Sequence, residues 1–130
     1  MTRAPWTFDD FVPGATMAVI DVPLDPARIA RWEEIYGPPP PGPLPSSLTV
    51  AAMMEAFINA IQPRPSGNVH ASQAMAFAEH RPAPGDVLTI TCDVQGKELK
   101  RGRRWVTFGV SASVGDRLAM TGALRIIWAA

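Results

Sequence analysis

The chain has little of what usually announces a specialised class of protein. One cysteine, Cys92, stands among 130 residues. No internal disulfide and no cysteine-built zinc knuckle can therefore form, and a lone thiol suits a reducing compartment. There is no net charge, because 12 Lys+Arg meet 12 Asp+Glu. A chain devoted to nucleic acid or to an anionic membrane surface normally carries a basic excess. No run approaches the ~20 apolar residues that cross a bilayer. Met1 through Trp6 also lack the apolar stretch of a secretory signal. The expectation is a cytoplasmic protein with neither nucleic acid nor membrane as partner. The two histidines, His70 and His80, have no flanking cysteines and no acidic spacing, so no metal is expected. A Gly-x-Ser-x-Gly elbow, a phosphate loop and a dinucleotide fingerprint are all missing.

What is present points to an ordinary core. Hydrophobic residues make up 47% and charged residues 18%, which excludes a disordered tail or a coiled coil. A chain of this length forms one domain, spanning 1–130, and buries roughly two thirds of its unfolded surface. Proline is the excess, 14 in all and about twice average usage. It concentrates in Pro38-Pro39-Pro40-Pro41-Gly42-Pro43-Leu44-Pro45, which reads as an extended, polyproline-like connector. The connector ends at Ser46-Ser47, either of which can cap a helix.

Hydrophobic periodicity supplies the elements on both sides. Thr16 to Val22 reads as a strand. Asp25-Pro26 then opens a short helix that closes at Gly37. Leu48 to Gln62 reads as a helix that is apolar in nearly every direction, and such a helix must be surrounded. Leu88 to Val94, Val106 to Val114 and Leu118 to Trp128 alternate with period two, as half-buried strands do. Turns fall at Pro84-Gly85-Asp86, Lys97 to Arg103 and Gly115-Asp116. A weaker strand, His70 to His80, would set Ala74, Ala76 and Ala78 toward the helix and Met75 and Phe77 away from it. The even spacing of His70 and His80 puts both on one face. Gly109 and Gly122 read as bends within strands. A ~15-residue helix is about 22 Å long and a ~12-residue strand about 40 Å, so a twisted sheet can overhang the helix and curl around it. The expected class is α+β: a long central helix wrapped by a curled antiparallel sheet of about five strands, with a short helix before it. Only the face that meets another subunit would stay open.

Particular segments carry a resemblance. Phe11-Val12-Pro13-Gly14, Tyr36-Gly37, Pro45-Ser46-Ser47, Asn68 through Phe77 and Arg81-Pro82-Ala83-Pro84-Gly85-Asp86-Val87-Leu88 resemble the MaoC-like dehydratases. These form the (R)-specific enoyl-CoA hydratase group of the hotdog-fold superfamily. The likeness is to the N-terminal-type domain and runs from about Phe8 to Trp128. It implies a hotdog fold in a homodimer, or in a heterodimer with a MaoC-like subunit. It also implies substrates carried as thioesters of coenzyme A or acyl carrier protein, no further cofactor, and hydration or dehydration across the 2,3-bond. Active members place an Asp and a His between the short helix and the central one. Here Gly37 through Pro45 contains neither. The resemblance then implies a subunit that shapes half of an acyl tunnel while a partner supplies the proton-transfer groups, or a homodimer whose chemistry has changed.

Candidate site residues follow. Glu55 lies mid-helix among Met53, Met54, Ala56 and Phe57, with Asn59 one turn on. A desolvated carboxylate there would have a raised pKa and could serve as base or nucleophile of an acyl-CoA thioesterase. Alternatively it pairs with Asn59 or an arginine along a polar seam. Amides near Ser46 and Ser47 could polarise a thioester oxygen. His70 reads as acid/base, as tunnel lining, or as a strand-end residue satisfied by backbone, and His80 as surface structure. Lys97, Lys100, Arg101, Arg103 and Arg104 crowd one hairpin, either solvating an exposed tip or attracting the phosphates of coenzyme A. Three functions remain open: a hydro-lyase assembly, a thioester hydrolase, and a non-catalytic ligand-binding or structural dimer.

Overall fold

A computed structural model describes residues 3–130. After a short 3-10 turn at Phe8–Asp10, the chain forms β1 (Thr16–Pro23), α1 (Pro26–Tyr36), α2 (Ser46–Ala60), β2 (Val69–Phe77), β3 (Val87–Lys100), β4 (Arg103–Val114) and β5 (Arg117–Trp128). The strands make one five-stranded sheet in the order β1-β3-β4-β5-β2, and every neighbouring pair is antiparallel. The expected α+β architecture is therefore present.

Alternation sorts the sheet into two faces. Leu88, Ile90, Cys92 and Val94 of β3 are buried, as are Val106, Phe108, Val110 and Ala112 of β4 and Met120, Leu124, Ile126 and Trp128 of β5. The registry pairs these residues with one another, so they form one continuous inner face. α2 packs on that face over β1, β3 and β4. Burying one such apolar side chain stabilises the fold by about 1.5–3 kcal/mol before entropy is counted.

The structure revises the start of the expected helix. It begins at Ser46 rather than Leu48, with Pro45 in the cap position, so neither serine caps it. Within the chain one face of the helix is covered and one stays open. Leu48, Thr49, Ala52, Met53, Ala56 and Phe57 are buried in a stripe one side wide. Ser47, Ala51, Glu55, Ile58 and Asn59 form an exposed stripe on the other side. Alanine occurs in both stripes and the exposed one holds Ile58, so hydropathy alone cannot separate them.

β2 also departs from expectation. It ends at Phe77, and a register shift between His70 and Ser72 breaks its period, so the even spacing no longer relates His70 to His80. Its faces are reversed: Gln73 lies opposite Leu124 and Phe77 opposite Met120, while Ala74 lies opposite Ala123 and Ala76 opposite Thr121. Leu124 and Met120 must point inward, and directly paired residues share a face. The alanines consequently turn away from α2. The β3–β4 hairpin is longer than expected, because pairing continues to Lys100 and Arg103. Only Arg101 and Gly102 form the turn, at φ +53° and +73°. Two positive φ angles give the primed two-residue turn that matches strand twist, and Gly102 accommodates its share without strain. Gly109 and Gly122 are not bends, since the registry runs unbroken through both. A Cβ on Gly109 would run into Asp93 and Gln95, and one on Gly122 into Met75.

Candidate functional site

α1 is set in place by its ends. The Asp25 side chain accepts from the Arg28 N–H at 2.9 Å, Pro26 occupies the first turn, and Gly37 at φ +83° closes the helix as its N–H donates to Glu33. This phasing turns Ile29 and Trp32 toward the core. It presents Arg28, Arg31, Trp32, Ile35 and Tyr36 along a groove whose opposite wall is Leu48, Ala51 and Glu55 of α2. The groove encloses about 340 Å³. Ile35 and Tyr36 are 74% and 67% exposed, an unusual display of apolar surface that an occupant would cover.

Two polar contacts cross the groove. Trp32 Nε1 donates to Ser47 Oγ at 3.2 Å. Arg28 Nη1 pairs with Glu55 Oε2 at 2.5 Å, while Arg28 Nε donates to the Pro23 carbonyl at 3.2 Å. The Arg28 hydrogen bond holds the Glu55 carboxyl below its usual range, against the opposing effect of desolvation, with the charges of Arg28 and Arg31 adding to it. That direction is opposite to the raised value expected of a desolvated carboxylate. The side chain is half exposed, so water and arginine outweigh the apolar neighbours. Its partner is Arg28, and Asn59 sits exposed one turn further on.

The remaining candidates fall at two ends of the molecule. Ser46 and Ser47 open α2 at its positive dipole end. The loop after β2 is tied to this end, because the Leu44 N–H donates to the Pro82 carbonyl at 3.1 Å and Arg81 Nη2 to the Leu44 carbonyl at 3.2 Å. His80, next to Arg81 of that tie, is half-buried, and its Nε2 is buried without a hydrogen-bond partner. His70 is exposed and lies opposite Ile126, two residues from Trp128. The Trp128 ring, with Arg64 near it, belongs to the far end of α2. Within one chain, then, Glu55 joins Trp32 and Ser47 along the groove, while His70 stands apart. Arg101 and Arg103 are also remote, in a second groove with Lys100, Trp105, Arg125 and Ile127.

Sequence reasoning missed Arg28, Trp32 and Tyr36. A signal was available: Asp25-Pro26 fixes the helical phase, and residues 28, 32 and 36 then recur every fourth position on one face. Among the described residues, no three His, Cys, Asp or Glu side chains cluster as metal ligands, and no helix is long and apolar enough to cross a membrane.

No family model matches the chain, and no curated protein matches it in sequence. Solved structures do. A monoamine oxidase regulatory protein from Archaeoglobus superposes with a TM-score of 0.79 at 13% identity, covering 98% of this chain and 97% of that one. The (R)-hydratase from A. caviae involved in PHA biosynthesis gives 0.69 at 16% identity, covering 92% and 98%. The fluoroacetyl-CoA thioesterase FlK gives 0.67 at 19% identity, covering 90% and 87%. Likeness of this kind at such identities speaks to architecture: the chain has the hotdog fold.

Proposed function

We propose that this chain binds an acyl thioester, carried on coenzyme A or acyl carrier protein, as one subunit of a hotdog dimer related to the enoyl-CoA hydratases and 3-hydroxyacyl dehydratases. The carrying observation is the α1–α2 groove, a trough of about 340 Å³ beside the N-terminal half of the central helix, in which Arg28, Arg31 and Glu55 flank Trp32, Ile35, Tyr36, Leu48 and Ala51. A hydratase and a CoA thioesterase are both built on this fold. The positive end of α2 suits a polarised thioester oxygen. The connector holds no Asp and no His, so in this reading the proton-transfer groups of hydration come from a partner subunit. Association through β2 fits its composition. This edge strand, Val-His-Ala-Ser-Gln-Ala-Met-Ala-Phe, carries no proline or formal charge. The other edge, β1, has Asp21 and Pro23, devices that protect a solvent-facing edge.

The test uses the purified full chain. Crotonyl-CoA should bind without being hydrated, and hydration should appear when an active MaoC-like subunit is added. Ala51→Trp, which fills the groove from an exposed position, should weaken crotonyl-CoA binding at least tenfold while leaving the fold intact. Hydration by the chain alone would show that it holds its own acid/base pair. Undiminished binding by the Ala51→Trp variant would remove the groove from the reading.

A second reading, thioester hydrolysis, is favoured by one observation: Glu55 lines the groove as an ionised, half-exposed carboxylate. Glu55 would take a proton from water as the water oxygen adds to the thioester carbon. Collapse of the tetrahedral adduct would expel the thiolate, which recovers that proton and leaves a free acid and a thiol. Thiol release from acyl-CoAs lost in Glu55→Gln and kept in His70→Ala would select this reading. Binding with neither hydration nor thiol release, even with a partner present, would select a non-catalytic dimer.

A further inference from the structure

The basic run at the β3–β4 hairpin divides into two groups by its contacts. Lys97 Nζ donates to the Phe8 carbonyl at 2.9 Å and lies 4.7 Å from the Phe8 ring centroid. Arg104 Nη1 donates to the Ala129 carbonyl at 3.3 Å. Both are committed to holding the chain termini against the sheet. Lys100, Arg101 and Arg103 make no ion pair among the described residues. They sit at the end of a paired ladder closed by a two-residue turn, so their backbone is fixed rather than loose.

Beside them lies a platform. Trp105 and Ile127 are directly opposite each other on the outer face, and the Arg125 guanidinium stands 4.5 Å from the Trp105 ring centroid. Arg125 is steadied by Glu98 at 3.6 Å, which also neutralises its charge. Together with Lys100, Arg101 and Arg103 these groups bound an open groove of about 520 Å³. Three uncompensated positive charges thus surround a guanidinium stacked over an indole, in a chain with no net charge.

We infer that this groove binds a phosphorylated nucleoside. The base stacks on the guanidinium of Arg125, which the Trp105 ring backs, and the phosphates meet Lys100, Arg101 and Arg103. Bases stack on aromatic rings and on arginine planes alike, and arginine matches phosphate geometry with paired donors. Inorganic phosphate would leave the indole and Ile127 unused. A nucleic-acid strand stacks successive bases on successive aromatics, whereas this groove offers one ring. The site goes beyond the thioester reading and stands without it, because it lies apart from the α1–α2 groove.

Adenosine 3′,5′-bisphosphate is titrated into the full chain by calorimetry and tryptophan fluorescence, with coenzyme A, inorganic phosphate and a single-stranded oligonucleotide in parallel. Saturable binding of one bisphosphate per chain is expected, weakening as salt rises and quenching Trp105 emission. The combined Arg101→Asn and Arg103→Gln variant should weaken it at least tenfold. Asparagine is chosen because it tolerates positive φ, and both side chains are exposed, so the fold survives. Arg117→Gln, an exposed arginine elsewhere, should change nothing, and Trp105→Leu should abolish the preference for bisphosphate over phosphate. The groove-filling Ala51→Trp should leave bisphosphate binding intact, so loss of the thioester reading would not touch this one. No saturable bisphosphate binding, binding unmoved by the double variant, or affinity that grows with oligonucleotide length would each overturn the inference.

Discussion

The two ends of α2 are finished in opposite ways. Beyond Ala60, Phe11 packs edge to face on Phe108 and Trp128, with centroids 5.2 and 4.9 Å away, and stacks on Trp6 at 5.4 Å. Phe57 joins Phe108 from the helix itself at 5.2 Å. Backbone then stitches the seal shut. Trp128 Nε1 donates to the Trp6 carbonyl at 2.6 Å, the Trp6 N–H to Pro63, and the Phe8 N–H to Ala130. At the Ser46 end there is no such plug. A proline connector leads into the helix there, and one ion pair and one indole hydrogen bond span an open groove. Stability is concentrated at the plugged end, while the open end has few buried contacts, as a site that admits a ligand would.

Truncations should expose this asymmetry most strongly. Phe108→Ala removes a fully buried ring from the middle of the seal and should cost about 3–5 kcal/mol in urea unfolding. Tyr36→Ala, at the open end, should stay within about 0.5 kcal/mol. Equal losses would erase the distinction. A sharper form makes one substitution at both ends. Trp128→Phe opens space in a site that is 1% exposed and removes the Trp6 hydrogen bond, a loss of about 1–3 kcal/mol. Trp32→Phe gives up a bond to an exposed serine that water can replace, so it should cost less than about 1 kcal/mol. Cys92 offers an independent readout. Burial, with Asp93 beside it, pushes its thiol up to about 11, so alkylating reagents at neutral pH should modify it only as the chain unfolds. Its modification should speed up in Trp128→Phe and not in Trp32→Phe.

The closed end was only partly legible in the sequence. Phe108 and Trp128 follow the two-residue alternation, so their burial was readable. Trp6 and Phe11 were not placed, because neither belongs to a helix or strand and no period assigns them a side. At the open end, α1 was legible nearly to the residue, since Asp25-Pro26 and Gly37 encode both of its boundaries. The Arg28–Glu55 pair was hidden because its members stand 27 positions apart, with a proline connector between them. Such a connector transmits no register. The faces of β2 were misjudged because alanine carries too little hydrophobic contrast to mark an inner side, and the break after His70 leaves no local signature. The hairpin was shortened because charged strand ends look like loop. Gly102, at the turn itself, was the better guide.

The smallest expected effect concerns the ion pair that spans the open end. Glu55 has a folded-state pKa below its ordinary value of 4.5, chiefly through its hydrogen bond to Arg28. On acidification the unfolded chain therefore takes up this proton first. The pair contributes fully above the ordinary glutamate range, and its contribution fades as pH falls through the lower folded value. Half of the side chain is exposed, so solvent screening limits the contribution to less than about 1 kcal/mol. Urea midpoints measured from pH 7 down to pH 3 should show a larger decline in the unmodified chain than in Glu55→Gln, and added salt should narrow the gap. The same acidification should leave the aromatic seal untouched, because none of its rings titrates in that range. Matching pH profiles for the unmodified chain and Glu55→Gln would mean that the pair does not hold α1 against α2, and the groove would then owe its shape to Trp32 and Ile29 packing on the core.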